Sequence, residues 1–340
     1  MIKYRVIGLR GVHYMTIDKT ISLFEQNFDL ISSTRAKRLD KRIRYLLARM
    51  YTGKGMLINV SDFDKIDFAL SKKSGLITSM TKIVRQTISG LMVLDGFNSI
   101  GGIEELYFNY KLLRDSQFKS SSQTYFAAYQ LFGCERTKRQ AVVERASDLY
   151  HVMKERHPWI TGTDDYSLIV SLAQAQSIKS LSPEEICDIQ DYYFQELPAV
   201  GVRNHQALLM GSAILTMLTA KKRHDILRLI DEVAEELGEY GIIKGTTYIP
   251  VILVAYVKLV DDYFNPQEIS LYIETFDSSM KLLFEKDYKL ALSLNLYIEE
   301  KIQSLTRSSV ANYSLLVNHV IMQEQIIDAS NITLSSELLN

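Results

Sequence analysis

Apolar residues recur along this chain with the spacing of one helix face, and the same arrangement returns about every 41 residues. Each unit has an amphipathic segment, a polar turn with one apolar residue, and a second, strongly apolar segment. The apolar residue at the turn marks seven units, at Ala36, Ile77, Phe118, Trp159, Val202, Ile242 and Phe284. Apolar side chains predominate 7, 11 and 14 positions after each marker, and these offsets share one face of an α-helix. The pattern predicts an all-α protein of about seven tandem helical hairpins, arranged as a solenoid or as a closed α/α array.

The repeats divide the chain into three parts. We expect an N-terminal extension over residues 1–18, the repeats as a single domain over 19–302, and a closing helix with a tail over 303–340. First helices of four units are predicted over residues 104–116, 140–155, 183–197 and 266–284. Polar residues able to cap a helix start precede the second helices, at Ser120 to Ser122, Thr163, Asn204 and Thr246. Pro183 and Pro266 each follow a polar residue, an arrangement typical of the first helical position.

The second segments of units three to six are apolar almost all round, as in YFAAYQLF and YIPVILVAYVKLV. A helix that is apolar on every side is buried on every side, so we expect these helices to form an inner layer. Whether the array closes or leaves an apolar concave groove stays open. Terminal units of an open array need a more polar face, and the first unit carries Arg42, Arg44 and Arg49 where later units have apolar residues.

Composition is that of an ordinary soluble protein, with 47% hydrophobic and 23% charged residues. The longest apolar run, residues 248–257, is about half a membrane span, so no membrane association is expected. Cys134 and Cys187 lack metal-site spacing and predict reduced thiols in the cytoplasm. Residues 1–90 carry 17 Lys/Arg against 7 Asp/Glu. This basic region could attract an acidic partner or another copy of the chain, or it could serve solubility alone.

One hairpin turn combines an imidazole, carboxylates and a phenol: His157, Asp164, Asp165 and Tyr166. These groups could form a polar pocket that binds a ligand or moves a proton. The alternative is a plain turn in which His157 ends one helix while Thr163 and Asp164 cap the next. His205, at the start of the fifth second helix, could likewise face a groove or simply belong to a helix start.

Basic residues cluster in the first two units: Arg35, Lys37, Arg38, Lys41, Arg42, Arg44, Arg49, Lys82 and Arg85. Arg44 and Arg85 occupy comparable positions in successive units and could bind phosphate. Nucleic-acid binding is nevertheless not expected, because no helix-turn-helix pattern occurs and the pI is about 6.6.

Metal and cofactor signatures are weak. The segment DDYFN at residues 261–265 resembles the aspartate-rich diphosphate-binding motif of helical prenyl-transfer enzymes. Its last acid is replaced by Asn and no partner motif occurs, which favours a solvated helix end. HExxH is absent, and the glycine pairs Gly53/Gly55 and Gly101/Gly102 are interpreted as hairpin turns. No cofactor and no metal are predicted.

Three blocks resemble a bacterial family catalogued as domain of unknown function 4003: YFNYKLLRDSQFKSSSQTYFAA, LYHVMKERHPWITGTDDYSLIVSLA and KGTTYIPVILVAY. The resemblance covers about residues 20–300. It implies a cytoplasmic protein of Gram-positive bacteria and carries no assigned functional residue. The segment at residues 202–206 lacks the glycine expected in that block.

Stacked helical hairpins commonly serve as binding surfaces. The leading hypothesis is therefore a scaffold for a protein or peptide partner, without enzymatic activity. The alternative is an α/α-type enzyme or small-molecule binder with its pocket at the hairpin turns. The candidate binding residues are Arg44, Arg85, His157, Asp164, Asp165, Tyr166 and His205. The pattern does not indicate an oligomeric state.

Overall fold

The computed structural model describes residues 16–39, 41–73, 80–158, 161–203, 205–239, 248–261, 264–279, 292–298 and 301. Within these ranges the chain is built of helices joined by turns and contains no strand. The predicted all-α class is confirmed.

Thirteen α-helices have both ends within the described ranges. They are α1 (Ile17–Ser33), α2 (Lys41–Gly53), α3 (Val60–Lys73), α4 (Lys82–Leu94), α5 (Ile100–Asp115), α6 (Ser122–Gln130), α7 (Arg139–Arg156), α8 (Tyr166–Gln174), α9 (Pro183–Glu196), α10 (His205–Thr219), α11 (His224–Glu239), α12 (Tyr248–Asp261) and α13 (Pro266–Ser279). Residues 292–298 are also helical.

The helices pack in consecutive pairs, from α1 with α2 to α11 with α12. Each even-numbered helix from α2 to α10 also contacts the next even-numbered one, and each odd-numbered helix from α1 to α7 contacts the next odd-numbered one. The even-numbered helices form the more buried layer: in α6 and α8 nearly every residue is buried. The prediction that the second helices are buried on all sides is confirmed for these two, because both neighbours and the odd-numbered layer cover them.

The first and seventh units are in contact, because α1 packs against α13. The rings of Phe24 and Phe276 meet edge to face with centroids 5.6 Å apart, and both side chains are fully buried. The first and the last of the thirteen helices are therefore in contact with each other. Arg49 is only 2% exposed, so its interpretation as a polar residue of an open terminal unit is wrong.

Local signals place several helix starts correctly. The Ser182 hydroxyl accepts a hydrogen bond from the Glu185 N–H (3.2 Å), and the Glu185 carboxylate accepts one from the Ser182 N–H (2.7 Å). This reciprocal pair is a capping box, and Pro183 takes the first helical position as predicted. Ser121 caps α6 by accepting from the Thr124 N–H at 3.1 Å.

Two predicted turns differ from the structure. Thr163 and Asp164 do not cap α8; they lie in a 3₁₀ turn, Thr163–Asp165, that leads into it, and the Asp165 carboxylate holds the start of that turn by accepting from the Gly162 N–H at 2.8 Å. Gly101 and Gly102 are not a turn but lie in the first turn of α5, which Ser99 caps.

Other predictions fall outside the described residues. These are the caps at Asn204 and Thr246, the markers Ile77, Trp159, Ile242 and Phe284, residues 262–263 of the DDYFN segment, most of the N-terminal extension and the closing helix with its tail. The three-part division of the chain stays a prediction. No helix in the described part of the chain is both long and apolar enough to cross a membrane.

Candidate functional site

A small cleft lies where the end of α7 meets α9 and α10. Its empty space, including the solvent at its mouth, is about 360 Å³. Eight residues line it: Met153, His157, Thr161, Cys187, Gln190, Asp191, Phe194 and Leu209. They come from the fourth and fifth units, so neither hairpin forms the cleft alone.

Helix α9 supplies half of the lining from one face. Cys187, Gln190, Asp191 and Phe194 are spaced by three, one and three residues, which places them on the same side of a helix. The capping box at Ser182 fixes where this helix begins and therefore which face turns toward the cleft.

The Asp191 carboxylate connects the two units. Its Oδ1 lies 2.7 Å from Nε2 of His157, and its Oδ2 lies 3.0 Å from Nη1 of Arg156. Arg156 also binds Oδ1 of Asp188 at 2.7 Å. Asp191 thus orients the imidazole and favours a proton on Nε2, because a carboxylate only accepts. In the neutral ring this leaves Nδ1 as an acceptor.

Gln190 is the unusual polar residue of the cleft. It is 4% exposed, and its side-chain Oε1 is buried without a hydrogen-bond partner among the described residues. A buried amide group left unpaired costs about 1–3 kcal/mol. The carboxamide belongs to a residue that lines the cleft, and turned toward the cleft it could be satisfied by a bound molecule.

Cys187 is a wall of the cleft and not a nucleophile. Burial raises the pKa of its thiol to about 12, with Asp191 adding to the rise and Arg156 opposing it. The thiolate, which is the reactive form, is therefore scarce at neutral pH. Cys187 therefore contributes a neutral thiol to the wall of the cleft.

Two of the predicted residues meet at Phe194. The ring of His157 lies 6.3 Å from it, and the ring of His205 packs against it edge to face at 5.4 Å. His157 also ends α7, since its N–H donates to the Met153 carbonyl at 2.8 Å. The plain-turn role and the pocket role of His157 are therefore compatible.

The structure does not bring the three neighbouring candidates to the cleft. Asp164 is exposed, and Asp165 is committed to capping. Burial raises the pKa of Asp165 to about 6, with the Gly162 hydrogen bond opposing the rise. The hydroxyl of Tyr166 accepts from the Lys119 N–H at 3.1 Å, and its ring packs on Phe118.

The two predicted phosphate-binding arginines are engaged within the protein. Arg85 Nε lies 2.7 Å from Oδ1 of the fully buried Asp67, whose Oδ2 lies 2.9 Å from Nε of Arg35. Arg44 donates to the Ser32 hydroxyl at 3.0 Å and covers the ring of Phe28. Among the described residues, no group of three potential ligands could hold a metal ion.

Of the eight lining residues, the sequence predicted His157 and missed seven; four of the seven share one face of α9: Cys187, Gln190, Asp191 and Phe194. Their common helix face was visible in the spacing, but a mixed polar face on a first helix is normally solvent-facing. Only the approach of α7, which brings His157 and Arg156 to Asp191, distinguishes this face from the others.

A protein-family model matches most of the chain. The family model described as "Protein of unknown function (DUF4003)" matches residues 27–326. No curated protein and no solved structure matches the chain.

Proposed function

Since the chain belongs to the DUF4003 family of proteins of unknown function, we propose from its own geometry that it binds a small molecule in the cleft of α7, α9 and α10. The observation that carries this proposal is the buried carboxamide of Gln190, whose oxygen has no partner among the described residues. Clefts with apolar walls and a few oriented polar groups are the usual form of small-molecule sites. Here the walls are Met153, Phe194 and Leu209, and the oriented groups are Gln190 and His157.

Binding without catalysis is the simpler form of the proposal. Cys187 is held as a thiol, and both oxygens of Asp191 are occupied by His157 and Arg156. No activated nucleophile lines the cleft, and an acid–base role would rest on the single imidazole of His157. The two free thiols fit a reducing compartment, so the proposed location is the cytoplasm.

A scaffold for a protein partner is the second candidate. The buried even-numbered helices α6 and α8 and the contact of α1 with α13 do not favour an apolar concave groove. A partner would use the outer surface, where Phe68 on α3 is 46% exposed and Phe108 on α5 is 38% exposed. Cations cover both rings, with the Lys72 ammonium 4.5 Å from the Phe68 centroid and the Arg136 guanidinium 4.7 Å from the Phe108 centroid.

The test uses four probes of one shape: benzamide, benzoate, benzylamine and toluene. We expect at least one to bind the purified protein, measured by saturation-transfer NMR with titration. Leu209→Trp fills the cleft from α10 and should abolish this binding. Met153→Phe fills it from α7 and serves as a second variant, with circular dichroism to show that each variant is folded. The proposal is wrong if no probe binds, or if binding survives in both folded variants.

A further inference from the structure

We infer that the cleft takes a neutral amide-type ligand, one that carries an N–H donor beside a carbonyl acceptor and pairs with the carboxamide of Gln190. This inference rests on the proposed function and specifies the ligand class of the same site. Primary amides, lactams and the hydrogen-bonding edges of nucleobases share this chemistry.

The charged groups beside the cleft already bind one another. Arg156 binds both Asp188 and Asp191 and also donates to the Glu184 carbonyl at 3.3 Å. An anionic ligand would therefore have to compete with two carboxylates for this guanidinium. A cationic ligand would meet an Asp191 carboxylate whose oxygens are already bound by Arg156 and His157. A neutral ligand does not have to displace any of these ion-pair partners, which favours it over a charged ligand.

The free hydrogen-bonding capacity of the cleft matches an amide. A glutamine side chain offers an acceptor and a donor next to each other, and a half-turn of its carboxamide exchanges the two. The oxygen of Gln190 is unpartnered and closed off from water, and a turn of the carboxamide toward the cleft would let it accept from a ligand N–H. The carbonyl of the same ligand group could accept from Nε2 of Gln190.

Among the described residues, four buried glutamines share an unpartnered Oε1, namely Gln86, Gln123, Gln130 and Gln190, and of these Gln190 lines the cleft. Gln86 donates to the Arg35 carbonyl at 2.7 Å, and Gln130 donates to the Ser171 hydroxyl at 2.8 Å. Gln123 has an unpartnered Oε1, as Gln190 does, but it lies on α6 and does not line the cleft. Gln123 is therefore a matched control, because it has the same unpartnered carboxamide oxygen outside the cleft.

The apolar walls define the rest of the ligand. Phe194 presents a ring, and Met153 and Leu209 present aliphatic surface. A flat ligand body with an amide at one edge would cover the ring while the amide reaches Gln190. Benzamide is a minimal probe of this shape.

The experiment compares affinities within matched ligands and matched variants. Benzamide should bind at least about tenfold more tightly than benzoate, benzylamine or N,N-dimethylbenzamide, the last of which lacks an N–H donor. Gln190→Leu should remove this preference, whereas Gln123→Leu should keep it. Gln190→Glu should weaken benzamide and favour benzylamine, which provides a second readout if the leucine variant does not fold.

The outcomes separate the inference from the proposed function. Binding of toluene or benzoate that is lost in Leu209→Trp, without a preference for benzamide, would overturn the amide class and leave the cleft as a binding site. If Gln190→Leu binds benzamide with unchanged affinity, the amide class is likewise overturned and the cleft remains a binding site. Absence of binding by every probe would overturn both.

Discussion

The carboxyl group of Asp165 is buried beside the loop that brings Thr161 into the cleft. It accepts a hydrogen bond from the Gly162 N–H, and yet burial raises its pKa from the ordinary 3.8 to about 6. The cost of removing the charge from water thus exceeds the benefit of the cap. At the residue scale, buried polar groups such as this carboxyl give the most specific predictions for the effect of a single substitution.

Asp165→Asn tests this balance. Because the pKa of Asp165 is higher in the folded chain than in the unfolded chain, only the folded state keeps the proton between about pH 4 and pH 6. The contribution of Asp165 to stability is complete below this window and is lost as the pH rises through it, by about 1.4 kcal/mol per pH unit. The carboxamide that replaces the carboxyl group in this variant can still accept from the Gly162 N–H and does not ionise.

The measurement is the free energy of unfolding in urea from pH 4 to pH 8. We expect the variant to lack this pH-dependent loss and to be more stable than the wild type by about 1–3 kcal/mol above pH 7. Asp164→Asn removes a neighbouring charge that adds to the rise in the pKa of Asp165, so this exposed variant should keep most, but not all, of the wild-type pH dependence. An Asp165→Asn curve with the wild-type slope would show that Asp165 is ionised throughout.

Asp67 gives a second residue-scale prediction. Its fully buried carboxylate faces Arg35 and Arg85, so Asp67→Asn leaves the largely buried Arg85 cation without a charged partner. We expect a loss of about 2–4 kcal/mol in the free energy of unfolding, whereas Asp29→Asn, on an exposed residue of α1, should cost less than about 0.5 kcal/mol. Equal effects of the two substitutions would contradict the role of the buried Asp67 carboxylate.

At the scale of single helices, the sequence predicted a helix start correctly where that start depends only on neighbouring residues. The Ser182–Pro183 start of α9 and the Ser121 start of α6 were predicted because a cap needs only neighbouring residues. Gly101 and Gly102 were misinterpreted as a turn because glycine pairs commonly form turns. Their reason lies in packing: Gly102 closely approaches the Phe97 carbonyl.

The two glycines make a matched pair. A Cβ at position 102 would lie 2.5 Å from the carbonyl oxygen of Phe97, so Gly102→Ala should lower the free energy of unfolding by about 1–3 kcal/mol. A Cβ at position 101 would meet only the Ser99 hydroxyl at 3.7 Å, so Gly101→Ala should be neutral or stabilise by up to about 1 kcal/mol. Thermal or urea unfolding decides this, and similar effects at the two positions would count against the described start of α5.

At the scale of the whole molecule, two features were beyond sequence reasoning. The contact of α1 with α13 depends on the small rotation between successive units, which no single unit encodes. The cleft depends on α7, α9 and α10 from two units, so Gln190 and Phe194 could not be recognised before His157 was placed beside Asp191. The buried second helices, by contrast, follow directly from their apolar composition.

The contact between the first and seventh units can be measured as a coupling energy. Phe24→Ala and Phe276→Ala should each cost about 3–5 kcal/mol, and the double variant should show a coupling of at least about 0.5 kcal/mol because the two rings touch. Leu149 on α7 is equally buried, and Leu149→Ala should add to Phe276→Ala within about 0.5 kcal/mol. If the losses in the free energy of unfolding of the two phenylalanine variants simply add in the double variant, the contact between α1 and α13 through these rings is contradicted.

A benzamide titration followed by the side-chain amide NMR signals of the glutamines tests whether Gln190 is the recognition group of the cleft. We expect the Gln190 signal to shift and to reach saturation, while the Gln123 signal does not shift. A Gln190 signal that does not move at saturating benzamide would contradict this role.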